Sequence, residues 1–301
     1  MDKLEAMRVF TRIMERGSFT LAAQDLGLPR STVTEAVQQM EARLSVRLLQ
    51  RTTRRVRPTL DGEAYYRRCL SIIADLEEAE AAFTGATPRG ILRIDVQGTL
   101  ARHFLLPGLA GFLERYPGIQ LQIGEGERLV DLVREGVDCA LRVGQPRDST
   151  MVGRQIAILD EGTFASPGYL GRHGTPSTPD DLDGHRMVGF ISTNTGNIFP
   201  LEFTVNGKLR QAMLPCPVSV TGAEIYVAAC RQGLGLIQVP RYRLAADLAA
   251  GRLVDVLPDF PPSRSPVYVL YPQSRQLSPR VRVFIDWVAA EFAARLPPAA
   301  A

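Results

Sequence analysis

The sequence has few of the residues that build metal sites and redox centres. Its 301 residues include only three histidines and four cysteines, and Cys69, Cys139, Cys216 and Cys230 share no CxxC spacing. A zinc site needs closely spaced Cys or His ligands, so we expect no metal and no cofactor. The cysteines are expected to be reduced, with a redox pair between Cys216 and Cys230 as an alternative.

The chain also lacks long hydrophobic runs. Apolar stretches such as Phe104–Leu106 and Val288–Ala290 fall far short of the ~20 residues that a membrane helix needs. The N-terminus, Met1–Glu5, is charged and has no apolar segment behind it, so no export signal is predicted. We therefore expect no membrane association and a cytoplasmic location.

Sequence signatures of the common enzyme classes are missing as well. The glycine pairs Gly124/Gly126 and Gly233/Gly235 do not form GxGxxG, and neither a GxxxxGK[ST] phosphate loop nor a GxSxG nucleophile elbow occurs. The histidines are scattered, and no carboxylates pair at a strand end. The sequence therefore predicts a protein that is not an enzyme. A solute-binding protein without DNA-binding activity is a competing interpretation.

Little net charge is present, but its distribution is uneven. The formal charge is +3, and only Lys3 and Lys208 are lysines. Six arginines without an intervening acid fall between positions 43 and 57: Arg43, Arg47, Arg51, Arg54, Arg55 and Arg57. Such a run is either a solvated face or a nucleic-acid surface. Hydrophobic residues at 45% exclude a disordered chain, and the length allows about two domains.

The first 60 residues are typical of short helices joined by tight turns. Apolar residues recur at helical spacing from Leu4 to Met14, and Gly17 can end that helix in a left-handed conformation. Ser18 can cap a second helix over Phe19–Leu26, and Ser31 a third that runs to Leu44. The arginine-rich segment after Val46 favours a small β-hairpin.

A long helix and then a change of pattern follow. Apolar residues from Tyr65 to Phe83 alternate at spacings of four and three within the helix Leu60–Phe83, which predicts a seam for a partner helix. Residues Thr84–Gly90 indicate a hinge. From Gly90 onward, strands and helices alternate, which is typical of a parallel α/β sheet. The predicted elements include a strand at Leu92–Val96 and helices at Leu100–Tyr116 and Arg241–Ala250.

Several segments together identify the family. The helix-turn-helix of LysR-type transcriptional regulators is similar to Phe19–Leu28 followed by Ser31–Glu41, and the family's wing and linker entry resemble Leu48–Arg54 and Leu60–Gly62. Residues Asp131–Gly144 and Gly233–Leu236 resemble its effector domain. Glu35 departs from the arginine that many members have there.

The resemblance implies an α/β protein overall. An all-α winged helix-turn-helix (1–59) would precede a linker helix and hinge (60–89) that mediate dimerisation. A two-lobed effector domain (90–301), like the periplasmic binding proteins, would follow. Its first lobe would comprise 90–161 and 268–296, and its second lobe 162–267. The implied protein is a homodimer or homotetramer that binds double-stranded DNA under control of a small-molecule effector, with RNA polymerase as a possible contact.

The third helix and the wing carry the predicted DNA contacts, within a helix-turn-helix from Phe19 to Gln38. Polar residues off the apolar stripe can reach base edges in the major groove. For example, Glu35 can accept from cytosine, and Gln38 can pair with adenine. Arginines of the wing are suited to phosphates or the minor groove. The predicted residues are Arg30, Ser31, Thr32, Thr34, Glu35 and Gln38 in the helix, and Arg51, Arg54 and Arg55 in the wing.

The predicted effector site lies where strands end and helices begin, because ligands of open α/β sheets bind there. Helix N-termini near Thr99 and Thr221 favour an anionic or strongly polar effector. The carboxylates of Glu125 and Glu127 favour a cation instead, so both charges stay open. The candidate residues are Gln97, Gly98, Thr99, Arg102, Glu125, Ser192, Thr193, Thr221 and Gly222.

Overall fold

The structure is a computed structural model of the whole chain. It describes residues 1–51, 56–83, 87–128, 131–144, 151–193, 195–273 and 277–296. The expected wing residues Arg54 and Arg55 lie outside these ranges, as does the first half of the predicted hinge.

Three helices form the N-terminal domain: α1 (Lys3–Arg16), α2 (Phe19–Leu26) and α3 (Arg30–Leu44). Two predicted helix boundaries are confirmed, because Gly17 adopts φ 60° after α1 and the Ser18 side chain accepts from the Leu21 amide before α2. The predicted Ser31 cap is wrong. The cap position lies two residues earlier, at Pro29, whose extended backbone lets its carbonyl accept from the Val33 amide.

The core of this domain also takes in the wing and the linker helix. Strands β1 (Leu49–Arg51) and β2 (Val56–Pro58) pair antiparallel, which confirms the predicted hairpin, and α4 (Leu60–Phe83) follows. The start of α4 lies so close to the wing that a Cβ on Gly62 would stand 2.0 Å from the Leu48 carbonyl oxygen. Tyr65 and the buried Cys69 of α4 pack against α1 to α3. The N-terminal part of the predicted seam is therefore covered within the chain itself.

The first lobe of the effector domain contains a five-stranded sheet. Its strands are β3 (Gly90–Val96), β4 (Ile119–Glu125), β5 (Cys139–Val143), β6 (Met151–Leu159) and β14 (Ser265–Pro272), in the order β4-β3-β5-β14-β6. The first three are parallel, but β14 runs antiparallel to both β5 and β6. The predicted parallel α/β sheet is therefore confirmed for β3, β4 and β5, and the sheet as a whole is mixed, because the chain returns from the second lobe along β14.

Helices α5 (Gly98–Leu100), α6 (Leu109–Arg115), α7 (Leu132–Glu135) and α11 (Pro279–Arg295) accompany this sheet. The predicted helix Leu100–Tyr116 is helical as far as Arg115 but is not a regular α-helix, because a π-turn over Ala101–Leu105 and a 3-10 turn over Leu106–Gly108 separate α5 from α6. Pro107 lacks an amide hydrogen and so interrupts the helical ladder. Phe104 and Phe292 stack in the core with ring centroids 3.9 Å apart.

The second lobe contains three small sheets between β6 and β14. The strands are β7 (Glu161–Ala165), β8 (Val188–Phe190), β9 (Leu201–Val205), β10 (Lys208–Ala212), β11 (Val218–Val220), β12 (Ile237–Pro240) and β13 (Val254–Val256). The helices are α8 (Pro167–His173), α9 (Ala223–Arg231) and α10 (Ala245–Ala249), with 3-10 turns at Pro179–Leu182 and Arg241–Leu244. The predicted helix Arg241–Ala250 is thus a 3-10 turn followed by a short α-helix.

Candidate DNA-binding surface and effector cavity

One face of α3 is buried and the other is polar and accessible. Val33, Ala36, Val37 and Met40 are buried against the domain core. The six predicted contact residues lie on the accessible face: Arg30, Ser31, Glu35 and Gln38 are exposed, and Thr32 and Thr34 are half-buried. Gln39 donates to Glu35 over 3.1 Å, which orients that carboxylate along the helix. An accessible polar helix face of this kind is suited to the major groove.

Glu41 fixes the wing to α3. Its carboxylate is 8% exposed, and its Oε1 accepts from the backbone amides of Leu48 (2.8 Å) and Leu49 (3.1 Å). Its Oε2 lies 3.4 Å from an Arg47 nitrogen. The carboxylate therefore satisfies two buried amides at the first strand of the wing. Glu41 lies on the buried side of α3 and is not placed to contact bases, and no pattern in the sequence indicated that it holds the wing.

One face of the linker helix exposes two large apolar side chains among those that the structure describes. Ile72 and Leu76 are 41% and 39% exposed and lie four residues apart on α4. Positions four apart share one helix face. This face continues the predicted seam beyond Cys69, and the described part of the chain leaves it accessible.

A cavity of about 550 Å³ lies between the two lobes. The first lobe contributes residues after β3 and at the end of β5, and the second lobe contributes most of the rest. The wall is formed by Gln97, Thr99, Glu127, Val143, Gly144, Glu161, Phe190, Phe199, Pro200, Leu201, Glu202, Gln211, Ala223, Tyr226, Gln238, Val239, Pro240, Tyr242, Arg243, Pro262, Ser263 and Ser265. This size and mostly apolar wall are typical of a small-molecule site.

Of the nine predicted effector residues, Gln97 and Thr99 line the cavity. Gln97 donates to Glu127 over 2.8 Å and accepts from the Val143 amide over 3.0 Å, while Thr99 hydrogen-bonds with Tyr242. The other predicted residues lie outside the lining: Gly98, Arg102, Glu125, Ser192, Thr193, Thr221 and Gly222.

Two of these outlying residues instead connect the lobes. Arg102 of the first lobe forms a 2.7 Å ion pair with Glu224 of the second. Thr193 of the second lobe donates to the carbonyl oxygen of Glu127 in the first over 3.0 Å. Both contacts are surface interactions of modest strength.

The helix N-termini predicted near Thr99 and Thr221 are present, because α5 begins at Gly98 and α9 begins at Ala223. Gln97 and Gly222 occupy the positions before α5 and α9. The Gln97 side chain forms no cap hydrogen bond, Gly222 has no side chain to form one, and Thr99 lies inside α5. Helix α5 spans three residues and is too short for a strong dipole. The dipole argument for an anionic effector therefore loses its support at α5 and keeps the N-terminus of α9, whose first residue, Ala223, lines the cavity.

The cavity contains charged groups that the sequence pattern did not indicate. Arg243 is 8% exposed, and its Nη2 donates to the carbonyl oxygen of Ala223 over 2.7 Å. Burial lowers the pKa of Arg243 and raises the pKa of Glu161 to about 7, despite the opposing effects of Ser265 and Arg243 on Glu161. These residues belong to neither a motif nor a periodic pattern, so only the folded arrangement identifies them.

The cysteines of the alternative redox interpretation are free thiols. Cys230 is buried and donates to the carbonyl oxygen of Phe164, and burial raises its pKa to about 12. Cys216 is partly accessible and donates to the Val218 carbonyl over 3.2 Å. Because its pKa is so high, Cys230 is not a reactive thiolate at neutral pH.

Comparison with known proteins covers nearly the whole chain. Residues 4–63 match the family model for the bacterial regulatory helix-turn-helix protein of the lysR family, and residues 85–293 match the LysR substrate binding domain. An HTH-type transcriptional repressor of Pseudomonas aeruginosa is 39% identical over 295 residues, with 97% of this chain and 93% of that protein covered.

Solved structures of LysR-type regulators have a similar fold over nearly the whole chain. The LysR-type transcriptional regulator CrgA from Neisseria meningitidis matches with a TM-score of 0.59 at 31% identity and covers 95% of this chain and 98% of its own. AphB, a virulence activator of Vibrio cholerae, matches with a TM-score of 0.57 at 27% identity, with coverages of 96% and 99%. The chain belongs to the LysR family of DNA-binding transcriptional regulators, which carry an effector-binding domain.

Within the described ranges, no helix combines the length and the apolar character needed to cross a membrane.

Proposed function

We propose that this protein is a sequence-specific transcriptional regulator in which a small effector, bound between the lobes, controls the DNA-binding heads. It would act on DNA in the cytoplasm and catalyse no reaction. The proposed division is 1–59 for the DNA-binding domain, 60–89 for the linker and hinge, and 90–301 for the effector domain. The observation that carries the proposal is the accessible polar face of α3 beside a wing anchored by Glu41.

The two parts of the DNA-binding surface have different roles in this proposal. The side chains of α3 read base edges, whereas the wing arginines Arg51, Arg54 and Arg55 contact phosphates and supply affinity without sequence choice. An effector can act only by binding one arrangement of the lobes more tightly than another. The contacts Arg102–Glu224 and Thr193–Glu127 support a mechanism in which the lobes change their separation.

Substituting Glu35 with alanine is expected to change the preferred base at one position of the operator. A lost base contact costs roughly 1–3 kcal/mol of discrimination at that position. Selection from a randomised DNA library, followed by sequencing, measures the preference directly. Glu15→Ala, which removes an exposed carboxylate from α1, is the matched control. An unchanged motif for Glu35→Ala would remove this residue from base readout.

The same proposal assigns dimerisation to α4 and further assembly to the effector domains. The double substitution Ile72→Glu and Leu76→Glu places charges on the exposed apolar face of α4 and is expected to dissociate the dimer, because burying unpaired carboxylates is costly. Sedimentation velocity measures the assembly. Replacing the exposed Leu44 and Val46 of the DNA-binding domain with glutamate is the control. Wild-type sedimentation of the α4 variant would contradict the assignment.

A further inference from the structure

The charged groups of the cavity form one small cluster. Among the described lining residues, Arg243 carries positive charge, while Glu127, Glu161 and Glu202 carry carboxylates. Glu161 and Glu127 both influence Arg243 electrostatically, and Glu161 also influences the ring hydroxyls of Tyr226 and Tyr242. Both signs of charge therefore lie within reach of one small ligand.

The charged lining residues differ in how many hydrogen-bond and ion-pair partners the protein provides for them. Glu127 accepts from Gln97, and Glu202 accepts from Gln211 and Ser263. Arg243, by contrast, donates to a single backbone carbonyl and lies 3.9 Å from the exposed Glu224. Glu161 accepts a hydrogen bond from the hydroxyl of Ser265, but burial still disfavours its charged form. A ligand with a carboxylate for Arg243 and a cation for Glu161 would satisfy both.

The remaining wall is apolar and aromatic. Phe190 packs against Phe199 with centroids 6.4 Å apart and against the ring edge of Tyr226 at 5.2 Å. Phe199 is 54% exposed, so a large part of its ring is available for contact. A ligand therefore needs an apolar side chain as well as its two charges.

On the basis of the proposed effector function, we propose that the effector is a zwitterionic amino acid with an apolar side chain, its carboxylate held by Arg243 and its ammonium by Glu161. A simple anion would meet three carboxylates in the same cavity, and a simple cation would meet the buried guanidinium. The zwitterion matches each sign of charge with its opposite. The aromatic cluster formed by Phe190, Phe199 and Tyr226 accommodates the side chain.

Three probes that differ only in charge test the proposal. L-Phenylalanine carries both charges, 3-phenylpropionate lacks the ammonium, and 2-phenylethylamine lacks the carboxylate. Isothermal titration of the full-length protein, preceded by a thermal-shift screen of the apolar amino acids, measures binding. We expect at least one amino acid to bind at least about tenfold more tightly than its desamino and decarboxylated analogues, since charged hydrogen bonds are lost in both.

Two variants assign the charges to residues. Glu161→Gln should abolish the preference for the amino acid over its desamino analogue, and Arg243→Gln should abolish the preference over its decarboxylated analogue. Arg154→Gln and Glu114→Gln remove surface charges outside the cavity and serve as controls. Because each variant is judged by the ratio of two ligands, a general loss of stability does not imitate the result.

Each other outcome overturns the inference. Equal or tighter binding of the anion or of the amine would assign a singly charged effector, and no binding by any apolar amino acid would exclude the class. The proposed regulatory function is tested separately, because DNA binding and the α3 base preference are measured without a ligand. A protein that fails to bind specific DNA would contradict the proposed function, whatever the cavity binds.

Discussion

Replacing Glu41 with alanine is expected to lower the stability of the DNA-binding domain by about 3 kcal/mol and to detach the wing from α3. The substitution leaves the buried amides of Leu48 and Leu49 without their acceptor, and each unsatisfied buried donor costs about 1–3 kcal/mol. A displaced wing can no longer hold phosphates, so affinity should fall for all DNA sequences alike.

Hydrogen exchange of the amides in residues 46–51 is the most direct measurement, combined with gel shifts below the unfolding temperature. Fluorescence is unsuitable, because the single tryptophan, Trp287, lies in α11 of the effector domain. Glu41→Gln is the matched control: both amides bond to the same oxygen, Oε1, which glutamine retains. Equal exchange protection in the alanine variant and the wild type would show that other groups hold the wing.

The N-terminal domain could be predicted closely because its signals are local. Gly17 and Gly27 end helices through their left-handed backbone, Ser18 caps α2, and the buried alanines Ala22 and Ala23 allow α2 to approach its neighbours. Each of these signals involves residues near one another in the chain. The one error, at Ser31, arose because proline and serine both favour helix starts and lie two positions apart.

The cavity could not be predicted to the same extent, because its residues come from distant segments. Gln97 and Thr99 directly follow β3. They could be predicted because ligands of α/β sheets bind beyond the carboxyl ends of parallel strands. Glu161 lies on β7, which had no recognisable pattern, and Arg243 lies in a 3-10 turn within a segment expected to be α-helical. Their chemistry depends on the packing of the two lobes, which residue spacing does not encode.

The inner strands of the first lobe were easier to predict than its edge. Strands β3 and β5 are largely buried and apolar, so their sequences predict strands. Strand β6 lies at the edge of the sheet, is partly or fully exposed at every position before Leu159, and includes Gly153 and Arg154. Glycine and charged residues weaken the strand signal, while pairing with β14 nevertheless holds the strand in place.

Glu161→Gln is expected to make the protein more stable than wild type at pH 8 but not at pH 4.5. Burial raises the pKa of Glu161 from 4.5 to about 7, so the folded protein binds this proton more tightly than the unfolded chain does. The associated stability is fully present below pH 4.5 and is lost as the pH rises through about 7. At 1.36 kcal/mol per pKa unit, and allowing for solvent in the cavity, the variant should gain about 2–3 kcal/mol relative to wild type between these limits.

The difference between the two proteins, measured by chemical unfolding at several pH values, isolates Glu161 because all other titrating groups are shared. Glu114→Gln, which alters an exposed carboxylate of α6, should follow the wild-type curve. A constant difference between wild type and Glu161→Gln would mean that this carboxyl ionises normally in the folded protein. In that case the cavity already stabilises the charge of Glu161, and a ligand ammonium would have little further free energy to supply there.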